Sequence, residues 1–261
     1  MSDPKILVTR NGPVIEVVNN NPQSKNSLSP EFIIGFSQLL AAIEDGSEDG
    51  RVILLSGAEG FFCSGGNLDG LKQRSESDYA QRRGNVDRIN QLILSMRSCK
   101  LPIIAVLEGG AAGAGVGLAL ACDMIIASDQ AYVMAAYVKI GITPDGGMTP
   151  FMTEAIPRWL LSELVFTGDK MPVKRLYEMG VVNELTESGK TKARALEIAN
   201  RLAAGPAQAI TTGKRLIAAA RLTPLDVQLE DEADSVANAL GSADAREGIQ
   251  AFLEKRKPQF S

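Results

Sequence analysis

Five glycines stand within nine residues, at 109, 110, 113, 115 and 117, after the apolar run IIAVL (103–107). The chain then reads as a helix. A strand that enters a glycine-rich turn at a helix start leaves backbone N–H groups free and presents the positive end of the helix dipole. Such a place receives negative charge: a phosphate, a carboxylate, or an oxyanion that forms only during a reaction. Clearance between strand and helix explains one or two glycines, whereas five in nine suit a backbone that a ligand must approach. A P-loop requires a Lys after its last glycine, but Val116 follows Gly115, and Leu118 and Ala119 follow Gly117. The dinucleotide fingerprint requires glycine at 118, which is Leu, and Asp129 lies too close to serve as its acidic residue. A nicotinamide-dependent dehydrogenase is therefore a distant reading.

A second strand-to-glycine turn lies at 51–67, RVILLSGAEGFFCSGGN. Two such turns can each give one N–H to a single oxygen, which is how an oxyanion hole is built. The chain contains no histidine, which removes Ser-His-Asp and Cys-His schemes and most zinc sites. Cys63, Cys99 and Cys122 lack metal-type spacing, so no metal is expected, and they read as buried thiols of a reducing compartment. With no base to activate it, Cys63 reads as structural. Asp145 sits in GITPDGG (141–147), where Pro-Asp-Gly is a turn signal in its own right.

The segments NNPQSKNSLS (20–29), GFFCSGGNL (60–68), GGAAGAGVGLALACD (109–123), KIGITPDGG (139–147) and GIQAFLEKRKPQF (248–260) occur in one order along the chain. Together they resemble the crotonase superfamily, the enoyl-CoA hydratase/isomerase family. The resemblance implies an α/β fold: a spiral of ββα units over 1–200 carrying the acyl-CoA site, then a helical region over 201–261 that packs homotrimers, often paired into hexamers. It implies an acyl-CoA thioester as substrate, with coenzyme A part of that substrate and no further cofactor. The thioester oxygen would lie between the N–H groups of Gly66 and Ala114; the family usually has glycine at the latter position, and alanine keeps the N–H. Leu28, Ser64, Gly65, Leu68 and Tyr137 would line the substrate. Lys25, Phe252 and Lys255, with its neighbours Arg256 and Lys257, would meet coenzyme A, the tail residues often reaching a neighbouring subunit.

The chain departs from a hydratase at two places. The family's two catalytic glutamates match Gly117 and Tyr137, so both carboxylates are missing. Asp145 remains, and a PDGG-like segment resembles enoyl-CoA isomerases and the ring-acting enzymes of phenylacetyl-CoA breakdown. An enolate held by two N–H donors lowers the cost of removing an α-proton, and a carboxylate raised in pKa by a dry pocket can carry that proton. One base suffices to move a double bond, while hydration also needs a water positioned and deprotonated. The expected reaction is therefore isomerisation with Asp145 as the base. The alternatives are a hydratase or ring-opening hydrolase on a cyclic acyl-CoA, and an acyl-CoA-binding homologue without catalysis. Glu108, Asp69 and Glu154 are candidates for a second acid, though each reads first as a solvated or capping residue. Asp123 reads as structural.

These groups need a scaffold. At 261 residues the chain suits one large domain with an appendage, and its net charge of −4 argues against a nucleic-acid surface. Strand-like runs fall at 6–8, 14–18, 52–55, 103–107 and 124–127, with helical patterns at 30–44, 78–97, 115–121 and 149–164. Their alternation predicts an α/β fold, and the chain reads helical from 190 onward, broken at Gly205–Pro206 and Thr223–Pro224. No sequence repeat is visible. The polar stretch 75–84 predicts a mobile flap or a solvated loop. No apolar run is long enough for a membrane span, and the polar start (1–4) carries no secretory leader, so a cytoplasmic protein is expected.

Overall fold

A computed structural model describes residues 3–260; residues 1 and 2 of the polar start, and residue 261, lie outside it. Six strands form the main sheet. They are β1 (Ile6–Asn11), β2 (Val14–Asn19), β3 (Val52–Gly57), β4 (Ile103–Leu107), β6 (Met124–Ser128) and β9 (Glu184–Thr186), in that spatial order. The β1–β2 pair is antiparallel and every other pair is parallel. A smaller sheet holds β5 (Gly110–Ala112), β7 (Tyr132–Met134) and β8 (Lys170–Pro172). In the middle of the chain each turn adds a strand to the large sheet, then a strand to the small one, then a helix. Thus β4 and β5 lead into α4 (Ala114–Leu120), and β6 and β7 lead toward α5 (Met148–Ala155). The repeat exists in space although the sequence displays none.

The central strands are apolar at nearly every position because both faces are covered. Ile53, Leu55, Ile103, Ala105 and Leu107 face the large core with Phe32 and Phe36 of α1 (Pro30–Asp45). The alternate residues Val52, Leu54, Ile104 and Val106 face a second cluster with Ala195, Ile198 and Ala199 of α8 (Thr191–Ala203). The period of two in a strand produces this split. Helix α1 begins where Ser29 accepts the Phe32 N–H at 3.2 Å, with Pro30 at its first position, and ends at Gly46 in a left-handed conformation.

Several elements differ from the sequence reading. The helical pattern at 149–164 is two helices, α5 and α6 (Arg158–Thr167), because Pro157 brings no N–H to a continuous ladder. The stretch 75–84 is not a loop throughout. It spans the end of α2 (Leu68–Ser75), a short break, and the first turn of α3 (Tyr79–Ser98), where Asp78 accepts the Gln81 N–H at 2.8 Å. A short α7 (Val173–Glu178) precedes β9. The helices after α8 are α9 (Ala207–Ala219), α10 (Leu225–Leu240) and α11 (Ala243–Leu253). Position 200 lies inside α8, whose packing against the main sheet continues through Leu202 and Ala203; the chain turns away at Gly205–Pro206. Helix α9 is tied to the core by Lys214, whose ammonium meets Asp123 at 2.8 Å and donates to the carbonyls of Leu101 and Met96 at 2.9 and 3.2 Å.

Candidate active site

The two glycine turns meet at the carboxyl ends of β3 and β4. Cys63 bridges Ala111 of β5, the Ala112 N–H donates to the Cys63 carbonyl at 2.9 Å, and the Phe62 N–H donates to the Gly110 carbonyl at 3.1 Å. Gly65 brings the turns into contact. Its φ is +80°, and a Cβ there would lie 2.7 Å from the Ala112 oxygen and 2.9 Å from the Ala114 nitrogen. Only a hydrogen fits. The Gly66 and Ala114 N–H groups have no acceptor among the described residues, in a region where most backbone N–H groups are paired. Ala114 opens α4, so its N–H also carries the helix's positive end.

The first turn is held from below. Leu28 donates its N–H to the Gly65 carbonyl at 2.8 Å, and the Ser64 N–H reaches the Lys25 carbonyl at 3.0 Å. The Ser64 hydroxyl donates to the Ser24 carbonyl at 2.9 Å, so its polar atom is engaged within the protein. Fully buried Asn26 donates to the Ala58 carbonyl at 2.7 Å and to that of Phe61, and accepts the Asn21 N–H at 2.9 Å. Its φ of +54° is one that Asn tolerates better than most residues. Lys25 stands exposed beside it, its ammonium 5.7 Å from the centre of the Phe61 ring.

The carboxylate arrives on the opposite wall. Tyr137 is buried, and its hydroxyl donates to Asp145 Oδ1 at 2.9 Å and to the Asp145 carbonyl at 3.3 Å. Burial pushes the Asp145 carboxyl above its ordinary range, against the Tyr137 hydrogen bond and the positive charge of Arg74, which both act to lower it. Burial likewise raises the Tyr137 hydroxyl, which the adjacent Asp145 charge raises further, so Tyr137 remains a donor. Gly146 follows at φ +60° and packs on α4: a Cβ at Gly117 would overlap the Gly146 carbonyl oxygen. Position 117, which the resemblance matches to a catalytic glutamate, therefore has no room here for any side chain.

Other candidates resolve into structural roles. Asp123 accepts the Ile103 N–H and the Lys214 ammonium, each at 2.8 Å. Glu108 accepts from the Ser188 hydroxyl and the Gly189 N–H, and Glu154 pairs with Arg221. Asp69 is exposed in the first turn of α2, next to Leu68, and Asn67 caps that helix by accepting the Gly70 N–H at 3.1 Å. Buried Cys63 is pushed up to about 12 by its apolar surroundings, which leaves an inert thiol. Phe252 and Lys255 lie exposed at the end of α11, a helix that packs on α10, and their hydrogen bonds do not involve the two turns. Two clefts of about 210 and 310 Å³ open at the other ends of the strands, around Asp123 and around Arg51; Glu154 lines the first, and neither contains Gly66, Ala114, Tyr137 or Asp145.

Two residues escaped the sequence reading. Asn26 carries no reactive signature, and only its left-handed backbone distinguishes it. Arg74 lies on α2, which has no apolar periodicity to announce it; its guanidinium stands 3.7 Å from where a Gly66 Cβ would be, with Leu71 beside it at 3.2 Å.

Two free N–H donors on adjoining strand-to-helix turns, set in a ββα spiral opposite a carboxylate, define the crotonase class of acyl-CoA enzymes. The family profile described as enoyl-CoA hydratase/isomerase matches residues 9–261, and the chain belongs to that family. It is 34% identical to a probable enoyl-CoA hydratase of Rhodobacter capsulatus over 225 residues, 86% of each chain. It is 31% identical to the 1,2-epoxyphenylacetyl-CoA isomerase of Escherichia coli over 249 residues, 95% of each chain. The crystal structure of an enoyl-CoA hydratase from Polaromonas sp. JS666 superposes with a TM-score of 0.93 at 34% identity, covering 98% of this chain and 99% of that one. Among the described residues no helix is long and apolar enough to cross a membrane.

Proposed function

We propose that this enzyme isomerises a carbon–carbon double bond in an acyl-CoA thioester, with Asp145 as the single proton carrier. The thioester oxygen accepts the N–H groups of Gly66 and Ala114. The Asp145 carboxylate removes a proton from C2 of a 3-enoyl thioester, and the electron pair moves onto the oxygen between the donors. When the pair returns, C4 takes the proton from Asp145 and the double bond lies between C2 and C3. Each donor contributes about 2.7–4 kcal/mol to such a step by analogy with other oxyanion holes. Coenzyme A enters as part of the substrate, with Lys25 and the Lys255 region to meet its phosphates, and the reaction needs no other cofactor.

The observation that carries this reading is the closure of position 117 by the Gly146 carbonyl, beside a Tyr137–Asp145 pair. One carboxylate whose proton affinity is raised by burial suits transfer between two carbons. The isomerase relative in Escherichia coli supports the reading, and the hydratase relatives support a second one in which Asp145 activates a bound water. The proposal includes a homotrimer, itself able to pair into a hexamer. Its support is the exposed apolar set Trp159, Phe166, Leu222, Leu225 and Phe252 on α6 and the C-terminal segment. Three free thiols suit a cytoplasmic setting.

Mass spectrometry in deuterated water, with 2-enoyl, 3-enoyl and ring-derived acyl-CoA substrates, tests the reading. Double-bond movement with deuterium uptake but no gain of water, lost in Asp145→Asn, is the expected result. A gain of water moves the assignment to hydratase or hydrolase. Tight CoA binding with silence across the panel points to the non-catalytic homologue.

A further inference from the structure

Arg74 stands beside Gly66 at the proposed acyl site and, among the described residues, has no protein partner at contact distance. Its side chain makes no hydrogen bond and no ion pair among the described residues, although most arginines of the chain do. It is half-buried on the inner face of α2, three residues after Leu71, so both side chains project toward Gly66. The opposite charge that acts on it, Asp145, lies across the site rather than in contact. A plain alkyl chain laid between them would strip water from the guanidinium and give it nothing in return. An acyl group carrying an oxygen acceptor would satisfy it, because guanidinium donors bind such acceptors with directional, charge-assisted bonds.

We propose that Arg74 selects acyl groups bearing an oxygen acceptor a few bonds beyond the thioester, either a terminal carboxylate or a ring oxygen. This rests on the acyl-CoA reading above and narrows its substrate class. Leu71 supplies the apolar wall for the carbons between, and Arg74 reads the acceptor.

The test is equilibrium binding by calorimetry with matched, unreactive thioesters. Adipyl-CoA against hexanoyl-CoA reads the carboxylate, and tetrahydropyranylacetyl-CoA against cyclohexylacetyl-CoA reads the ring oxygen. The wild-type chain is expected to prefer the oxygen-bearing member of at least one pair by about 10- to 100-fold. Arg74→Leu removes that preference while leaving the oxygen-free member bound as well or better. Arg74→Lys, which keeps the charge but not the fork, retains part of a carboxylate preference. No preference in the wild type, or an equal loss for both members of each pair, overturns the proposal and makes Arg74 a partner of Asp145 only. Binding needs no turnover, so a preserved preference without isomerisation would sink the isomerase reading alone. Failure to bind any of the four thioesters would sink both.

Discussion

The α-carbon of Gly117 rests against the carbonyl oxygen of Gly146, so closely that a single added carbon at 117 would overlap it. This contact seats the Asp145 turn on α4, with Gly146 packed beside Ala114. It also shows that restoring a family glutamate is not a matter of exchanging one side chain.

Gly117→Glu is accordingly expected to abolish turnover rather than install hydratase activity. Gly117→Ala should already cost about 3 kcal/mol or more, as overpacking against backbone does. Thermal unfolding of both variants, alongside the water-uptake assay, measures this. A stable Gly117→Glu protein that hydrates 2-enoyl-CoA would show that the Asp145 turn moves aside freely.

Tyr137→Phe removes a hydrogen bond that favours the ionised carboxylate. Burial then acts on Asp145 with less opposition, so its proton affinity rises. The acidic limb of the kcat/KM profile should move to higher pH, and kcat should fall roughly tenfold near neutrality. An unshifted limb would mean that another group titrates there.

Asp145 should weaken the fold when ionised, and the sign follows from its raised pKa. The native state holds the proton more tightly than the unfolded chain, so stability falls as pH rises from the unfolded carboxylate range through the native value. Asp145→Asn still accepts the Tyr137 hydroxyl and carries no charge. Its Tm at pH 7 is expected to exceed that of the native chain by a few degrees, with the gain shrinking toward acidic pH. Calorimetry across that range checks the trend.

Asn26→Ala leaves the Ala58 and Phe61 carbonyls and the Asn21 N–H without their buried partner. The expected loss is about 2–4 kcal/mol from bonds of this kind. Because Asn26 supports the turn that carries Gly66, kcat should fall more than affinity for coenzyme A. Equal loss in both would confine Asn26 to general stability.

Much of this architecture is legible in the residues. Four of the five apolar runs are strands of the buried sheet, which needs continuous β-branched and leucine side chains, and the run at 6–8 is the exposed edge strand β1. The breaks at 205–206 and 223–224 are helix ends because proline cannot donate inside a helix. The three-residue strands β5, β7, β8 and β9 are not legible, since three residues show no period. The Tyr137 side chain reads from sequence as a wall of the pocket; only the folded turn turns its hydroxyl onto Asp145. Arg74 is hidden for a related reason, as α2 is short, polar and defined by its Asn67 cap rather than by an apolar stripe.

Gly66 lies just before α2 and Ala114 opens α4, so each donor belongs to a different turn of the spiral, the two joined at the Cys63–Ala111 bridge. The donors thus form a seam between two units, and each proposed acyl-recognition surface follows its own donor in the chain: α2 after Gly66, the Asp145 turn after Ala114. Substitutions in either surface can change the substrate without disturbing the register of the donors. A scaffold divided in this way can change its chemistry one wall at a time.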